Sequence, residues 1–122
     1  MKIKISIGPL SMEAELNDSA TSQKIIKALP IKSGFNRWGD EIYFAIPVDS
    51  SLDETAQEEV AIGDLGYWPT GKAFCIFFGP TPMSSPDKIV PASAVNIIGH
   101  IIGDATRFKE VAQENEIQLE LI

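Results

Sequence analysis

Gly66-Tyr67-Trp68-Pro69-Thr70-Gly71-Lys72-Ala73 runs directly into Phe74-Cys75-Ile76-Phe77-Phe78, and how these thirteen residues are read decides the fold class. Two glycines at this spacing, followed by a lysine, almost spell a phosphate-binding loop, which would open a helix in an α/β protein. Three features exclude it. Position 73 is alanine, without the hydroxyl that holds magnesium. Trp68-Pro69 puts bulk, and removes a backbone donor, where N–H groups must cradle phosphate. The run that follows, 73–78, is aromatic and β-branched, which predicts a strand buried on both faces.

Reading outward from that strand, the pattern stays β. Gly79-Pro80-Thr81-Pro82 and Ser84-Ser85-Pro86-Asp87 punctuate a loop. Residues 96–102 predict a strand that Gly103 ends. Asp104 caps a second helix with Ala105, Phe108, Val111 and Ala112 on its apolar face. Ile117, Leu119 and Leu121 alternate with Gln118 and Glu120 in a closing strand. Upstream, Ile42, Phe44 and Ile46 alternate with Glu41, Tyr43 and Ala45, and Pro47 closes that strand. At the start, Ile3, Ile5 and Ile7 form one face, Gly8-Pro9 a turn, and Leu10, Met12, Ala14 and Leu16 the face of a second strand, a hairpin pattern. Asp18 and Ser19 are both suited to cap a helix. Ser22, Ile25, Ile26 and Leu29 share one helical face, and Pro30 ends it. Many strands with two helices predict a mainly β barrel or sandwich whose open ends the helices cover.

The chain has 122 residues, 17 acidic and 10 basic, for a net charge of −7. That length predicts one domain over 1–122. The negative charge argues against nucleic acid and anionic membranes as partners, since both demand a basic patch. The longest clean apolar runs are about five residues, against the ~20 needed to span a bilayer, so no transmembrane segment is expected. With no export signal and a single cysteine, Cys75, the expected location is the cytoplasm. Cys75 reads as a buried, inert thiol. One cysteine and one histidine, His100, do not make a zinc set, and no metal or other cofactor is expected. His100 itself reads as a hydrogen-bonded structural residue. Residues 49–59 carry five acids and no base. They lack the ordered spacing of a calcium loop and read as a solvated excursion.

The stretch 63–82, with Gly39-Asp40-Glu41-Ile42-Tyr43-Phe44 and Val95-Asn96-Ile97-Ile98-Gly99-His100-Ile101, resembles a compact prokaryotic cyclophilin-like family. The resemblance covers nearly the whole chain. It implies a closed β-barrel of about eight strands, with a helix after the second strand and another before the last. It also implies peptidyl-prolyl cis/trans isomerisation, in which an arginine weakens amide resonance beside an apolar proline pocket and no cofactor is used. Phe35-Asn36-Arg37 is similar to the family's Phe-His-Arg, so the resemblance assigns the catalytic role to Arg37. Leu65 to Gly71 matches a glycine-rich loop beside the groove, and Cys75 falls where the family has a pocket phenylalanine. The family's glutamine falls at Ala45, its groove histidine near Val95 and its groove tryptophan near Val90.

Those departures favour binding over turnover. The expected site is a groove for a proline-containing peptide or a small molecule, lined by Arg37, Tyr43, Asp64, Trp68 and Phe77. Asp64 reads as either a ligand contact or a turn former. A weak isomerase resting on Arg37 is the alternative. A third reading uses Asp40, Glu41 or Asp64 as a general base, and it requires a carboxyl raised toward neutral pKa in a pocket.

Overall fold

The structure, a computed structural model, describes residues 1–122. Ten strands run in one antiparallel sheet: β1 (Lys2–Ile7), β2 (Leu10–Leu16), β3 (Ile31–Ser33), β4 (Asn36–Arg37), β5 (Glu41–Ala45), β6 (Ala56–Gln57), β7 (Asp64–Trp68), β8 (Ala73–Phe77), β9 (Val95–Ile102) and β10 (Ile117–Leu121). The spatial order is β3-β10-β1-β2-β9-β7-β8-β5-β4, with β6 added alongside β9. The period-2 runs of the sequence are the strands observed. Ile3, Ile5, Ile7, Ala14 and Leu16 face one core, joined by Ile42, Phe44, Phe74, Ile76 and Phe78.

The expected closed barrel of about eight strands is corrected in two respects: the sheet has ten strands, and hydrogen bonds do not close it. Its two edge strands, β3 and β4, are consecutive in the chain, separated only by Gly34-Phe35. The chain therefore brings the edges together covalently. Each edge strand bonds to a different neighbour, β3 to β10 and β4 to β5, so no ladder forms across the seam.

Helix α1 (Ala20–Ala28) follows β2, with the Ser19 hydroxyl accepting from the Ser22 N–H as its N-cap. It ends at Leu29, whose extended backbone is what a residue before proline prefers. Ile25 from this helix enters the core, and Ile26 and Leu29 pack against it half-buried. The second expected helix is present over Ala105–Val111 but is 3-10 rather than α. Asp104 caps it, and Ala105, Phe108 and Val111 are buried, whereas Ala112 is exposed.

Residues 49–59 are not a free excursion. Asn96, fully buried on β9, accepts from the Asp53 N–H at 2.9 Å and donates to the Ser51 carbonyl at 2.9 Å and Thr21 Oγ1 at 3.2 Å. Burial pushes the Asp53 carboxyl up, but hydrogen bonds from Thr55 and Thr21 outweigh it and hold the group below its ordinary pKa. The segment is thus pinned to the sheet and to α1 at once. Asn96→Ala should cost roughly 2–3 kcal/mol, because it leaves buried partners unsatisfied. Urea unfolding measures that cost. Amide exchange should show residues 51–57 losing protection before the core strands.

Candidate functional site

The outer face of the sheet carries a second, smaller apolar layer. Strand parity builds it. On β8, Phe74 and Ile76 point into the core, so Ala73, Cys75 and Phe77 point outward. On β5, Ile42 and Phe44 point in, so Glu41 and Tyr43 point out. On β7, Leu65 and Tyr67 point in, so Gly66 and Trp68 point out. Val60, Ala73, Cys75, Phe77 and Val95 are buried there, with Tyr43 and Trp68 packed half-buried against them.

Residues 79–94 roof this layer. Thr81 and Ser84 knot the roof: the Ser84 hydroxyl accepts from the Thr81 and Val90 N–H groups, and Thr81 Oγ1 donates to the Val90 carbonyl. The Trp68 indole donates to Ser93 Oγ at 2.6 Å and fastens the roof to β7. Between roof and sheet lies a cavity of about 210 Å³, lined by Trp38, Glu41, Tyr43, Trp68, Pro91, Ala92 and Val95. The Tyr43 and Trp68 rings meet edge to face, with centroids 6.4 Å apart and planes at 82°.

Trp38 and Glu41 reach the cavity through one tight hairpin. The Trp38 N–H donates to the Glu41 carbonyl, and the Glu41 N–H donates to the Trp38 carbonyl. The two turn residues between them are Gly39 and Asp40. Gly39 has φ +62°, and a Cβ there would sit 2.9 Å from the Pro80 carbonyl oxygen, so the turn demands glycine.

Glu41 is the chemically distinctive member. It is only 5% exposed, and its Oε1 has no hydrogen-bond partner within the protein. Burial raises its carboxyl to a pKa of about 7, with the Cys75 thiol beside it pulling modestly the other way. Burial and the neighbouring Glu41 push the Cys75 thiol up, which keeps it protonated and unreactive at neutral pH. Glu41 thus meets the condition set above for a functional carboxylate: a near-neutral pKa, in a pocket.

The structure divides the five residues expected to converge. Tyr43 and Trp68 line the cavity. Phe77 is fully buried in the outer layer on which both rest. Arg37 lies elsewhere. It pairs with Ile42, so it sits on the opposite face of the ribbon from Tyr43. Its guanidinium lies 5.0 Å from the centre of the Phe78 ring, donates to the Gly39 carbonyl and pairs with Asp40 at 3.5 Å. Asp64 takes the turn-forming role, accepting from the Ala61 N–H at 2.8 Å. With Glu15, Asn17 and His100 it edges a separate shallow polar cleft. His100 is exposed rather than held inside the structure, because Ile98 is an extra residue in β9 opposite Leu65-Gly66 and shifts the faces beyond it.

Trp38 reads from the sequence as a packing residue more readily than a ligand wall, Pro91 and Ala92 carry no signal there, and Glu41 carries none for its burial. Leu65 and Tyr67 alternate as a strand does, but Gly66 and Trp68-Pro69 give the segment the composition of a loop, and the structure makes it β7. The roof has no such signal. No cluster of three or more His, Cys, Asp or Glu side chains is placed to hold a metal ion. No helix is long and apolar enough to cross a membrane.

A curled antiparallel sheet with one α-helix and a roofed pocket on its outer face defines the class, and comparison with known proteins confirms the resemblance. The chain belongs to the Cyclophilin-like family, whose model matches residues 1–120. It is similar to a hypothetical protein from Archaeoglobus fulgidus, known from its solution structure, with 44% identity, a TM-score of 0.81, and coverage of 98% of this chain and 93% of that one. It also shares its fold with McbB, described in complex with tryptophan, at 14% identity and TM-score 0.70, covering 97% of this chain but 44% of McbB. No curated protein matches the chain.

Proposed function

We propose that this cyclophilin-like domain is a binding module whose roofed pocket takes a compact, mainly apolar group from a small molecule or a peptide side chain. One observation carries the reading: a cavity of about 210 Å³ is walled by Trp38, Tyr43 and Trp68 together with Glu41, a buried carboxyl residue. A concave, mainly apolar pocket with a single polar group in its wall is the usual form of a small-molecule site. Ser93 holds Trp68 in place, which lowers the ordering cost of binding. McbB, which shares the fold, binds a small molecule in its described complex. Prolyl isomerisation through Arg37 draws no support from the geometry, since its guanidinium is committed to Gly39, Asp40 and the Phe78 ring. Proton exchange with a bound ligand is a second reading, favoured by the near-neutral Glu41.

The test is heteronuclear NMR of the protein titrated with Xaa-Pro peptides and with small aromatic and amine ligands. Binding should shift the Trp38 and Trp68 indole N–H signals, and Trp68→Ala should weaken it by about tenfold or more. Shifts confined to Arg37, or cis/trans exchange of the peptides accelerated by the protein and lost in Arg37→Ala, would replace this reading with the isomerase.

A further inference from the structure

The rings and the carboxyl together specify more than an apolar pocket. Tyr43 and Trp68 stand nearly perpendicular and make a corner. Trp38 contributes a third ring, and Glu41 contributes the one buried carboxyl. Aromatic faces carry negative quadrupole potential and attract cations. No lysine or arginine lines the cavity to offset them. The net charge of −7 biases approach in the same direction at longer range.

We propose that the pocket is a cage for an alkylammonium cation, seated among the Trp38, Tyr43 and Trp68 rings with its charge balanced by the Glu41 carboxylate in the cavity wall. This rests on the reading of the cavity as a binding site and narrows it to one ligand chemistry. An anionic ligand is disfavoured by every wall. A neutral apolar ligand would leave the Glu41 carboxyl in the wall without a counter-charge. A permanent cation in the cavity stabilises the ionised carboxylate electrostatically, so its binding expels the proton that burial retains on Glu41.

The surroundings of Glu41 are otherwise electrically quiet. Tyr43 on its own strand, the Cys75 thiol from β8, Trp68 from β7 and Pro91, Ala92 and Val95 from the roof and β9 are all uncharged at neutral pH. Asp40, the adjacent charge, is engaged by Arg37 and Lys109. The pH dependence of cation binding is therefore that of Glu41 itself. Affinity for a quaternary ammonium, which cannot titrate, should rise about tenfold between pH 6 and pH 8 and level off above that.

Choline and its uncharged isostere 3,3-dimethyl-1-butanol make the test, read by indole N–H shifts and tryptophan fluorescence in the wild type and in Glu41→Gln. The inference expects choline to bind about tenfold or more tightly than the isostere. It expects Glu41→Gln to abolish both the preference and the pH dependence. Equal binding of the two ligands, unchanged in Glu41→Gln, would overturn the cation cage and leave the binding pocket standing. Failure of both ligands, together with failure of the peptide and small-molecule panel above, would remove the pocket reading as well. A choline preference that survives in Glu41→Gln would also overturn the assignment, since the rings alone would then account for it.

Discussion

Glu41→Gln is expected to make the protein more stable at pH 8 and to leave it almost unchanged at pH 4. In the folded chain the Glu41 carboxyl keeps its proton up to about pH 7, whereas the unfolded chain releases it near the ordinary 4.5. A raised carboxyl pKa means that the folded state binds the extra proton between those values, so stability is lost as pH rises from about 4.5 to 7. A shift of this size corresponds to about 3 kcal/mol. Glutamine holds a neutral group of the same shape, so it avoids that loss. Its advantage should be near zero at pH 4, grow through pH 5 to 7 and then stay constant. In thermal unfolding this reads as a gain on the order of 10 °C at pH 8. A pH-independent difference between variant and wild type would show that Glu41 is solvated and that the pocket floor is open to water. The same burial that costs stability in the free protein is what a cationic ligand would repay, so choline should stabilise the wild type at pH 8 and not the variant.

Gly99→Ala is the other change expected to be severe. Gly99 pairs with Leu16 of β2 on one side and Leu65 of β7 on the other. A Cβ at Gly99 would lie 2.1 Å from the Glu15 carbonyl oxygen and 2.9 Å from the Leu16 Cα. These are backbone atoms and cannot swing aside, so two strands at the centre of the sheet would have to separate. The cost should be about 3 kcal/mol. Gly63→Ala provides the comparison. Gly63 has φ +95° but open space, the nearest atom being Ala105 Cβ at 3.9 Å. Its cost is conformational and nearer ~1 kcal/mol. Chemical denaturation of both variants decides the matter: if Gly99→Ala costs no more than Gly63→Ala, the close approach of Gly99 to the β2 backbone is not as described.

Much of the fold was legible because alternation is a local signal. Ile3-Ile5-Ile7, Ile42-Phe44-Ile46 and Ile117-Leu119 each declare an inner face without reference to anything distant. Strand β7 was harder. Gly66 and Trp68-Pro69 look like loop punctuation, yet Gly66 belongs in the strand because Val95 and Phe77 crowd its outer side at 3.0 and 3.2 Å. That crowding comes from residues 11 and 29 positions away along the chain.

Arg37 shows what register decides. Its motif drew it toward the groove, but the Gly39-Asp40 hairpin pairs Arg37 with Ile42 and turns it to the other face. A single residue of slip would have placed it beside Tyr43 instead. Glu41 shows the converse. In the alternating pattern it occupies an outward position, where a carboxylate is ordinary.

The mainly β architecture is written in local periodicity, since a period of two in apolar residues leaves a strand one face to bury. What covers the other face follows from long-range packing. Residues 79–94, knotted by Thr81 and Ser84 and tied to Trp68 through Ser93, fold over the outer side of β5, β7 and β8. The roof closes over a Glu41 whose burial raises its pKa, while Trp38, Tyr43 and Trp68 line the same cavity from the hairpin, β5 and β7. Burial depends on which distant segment comes to rest against a side chain, and local periodicity does not encode that.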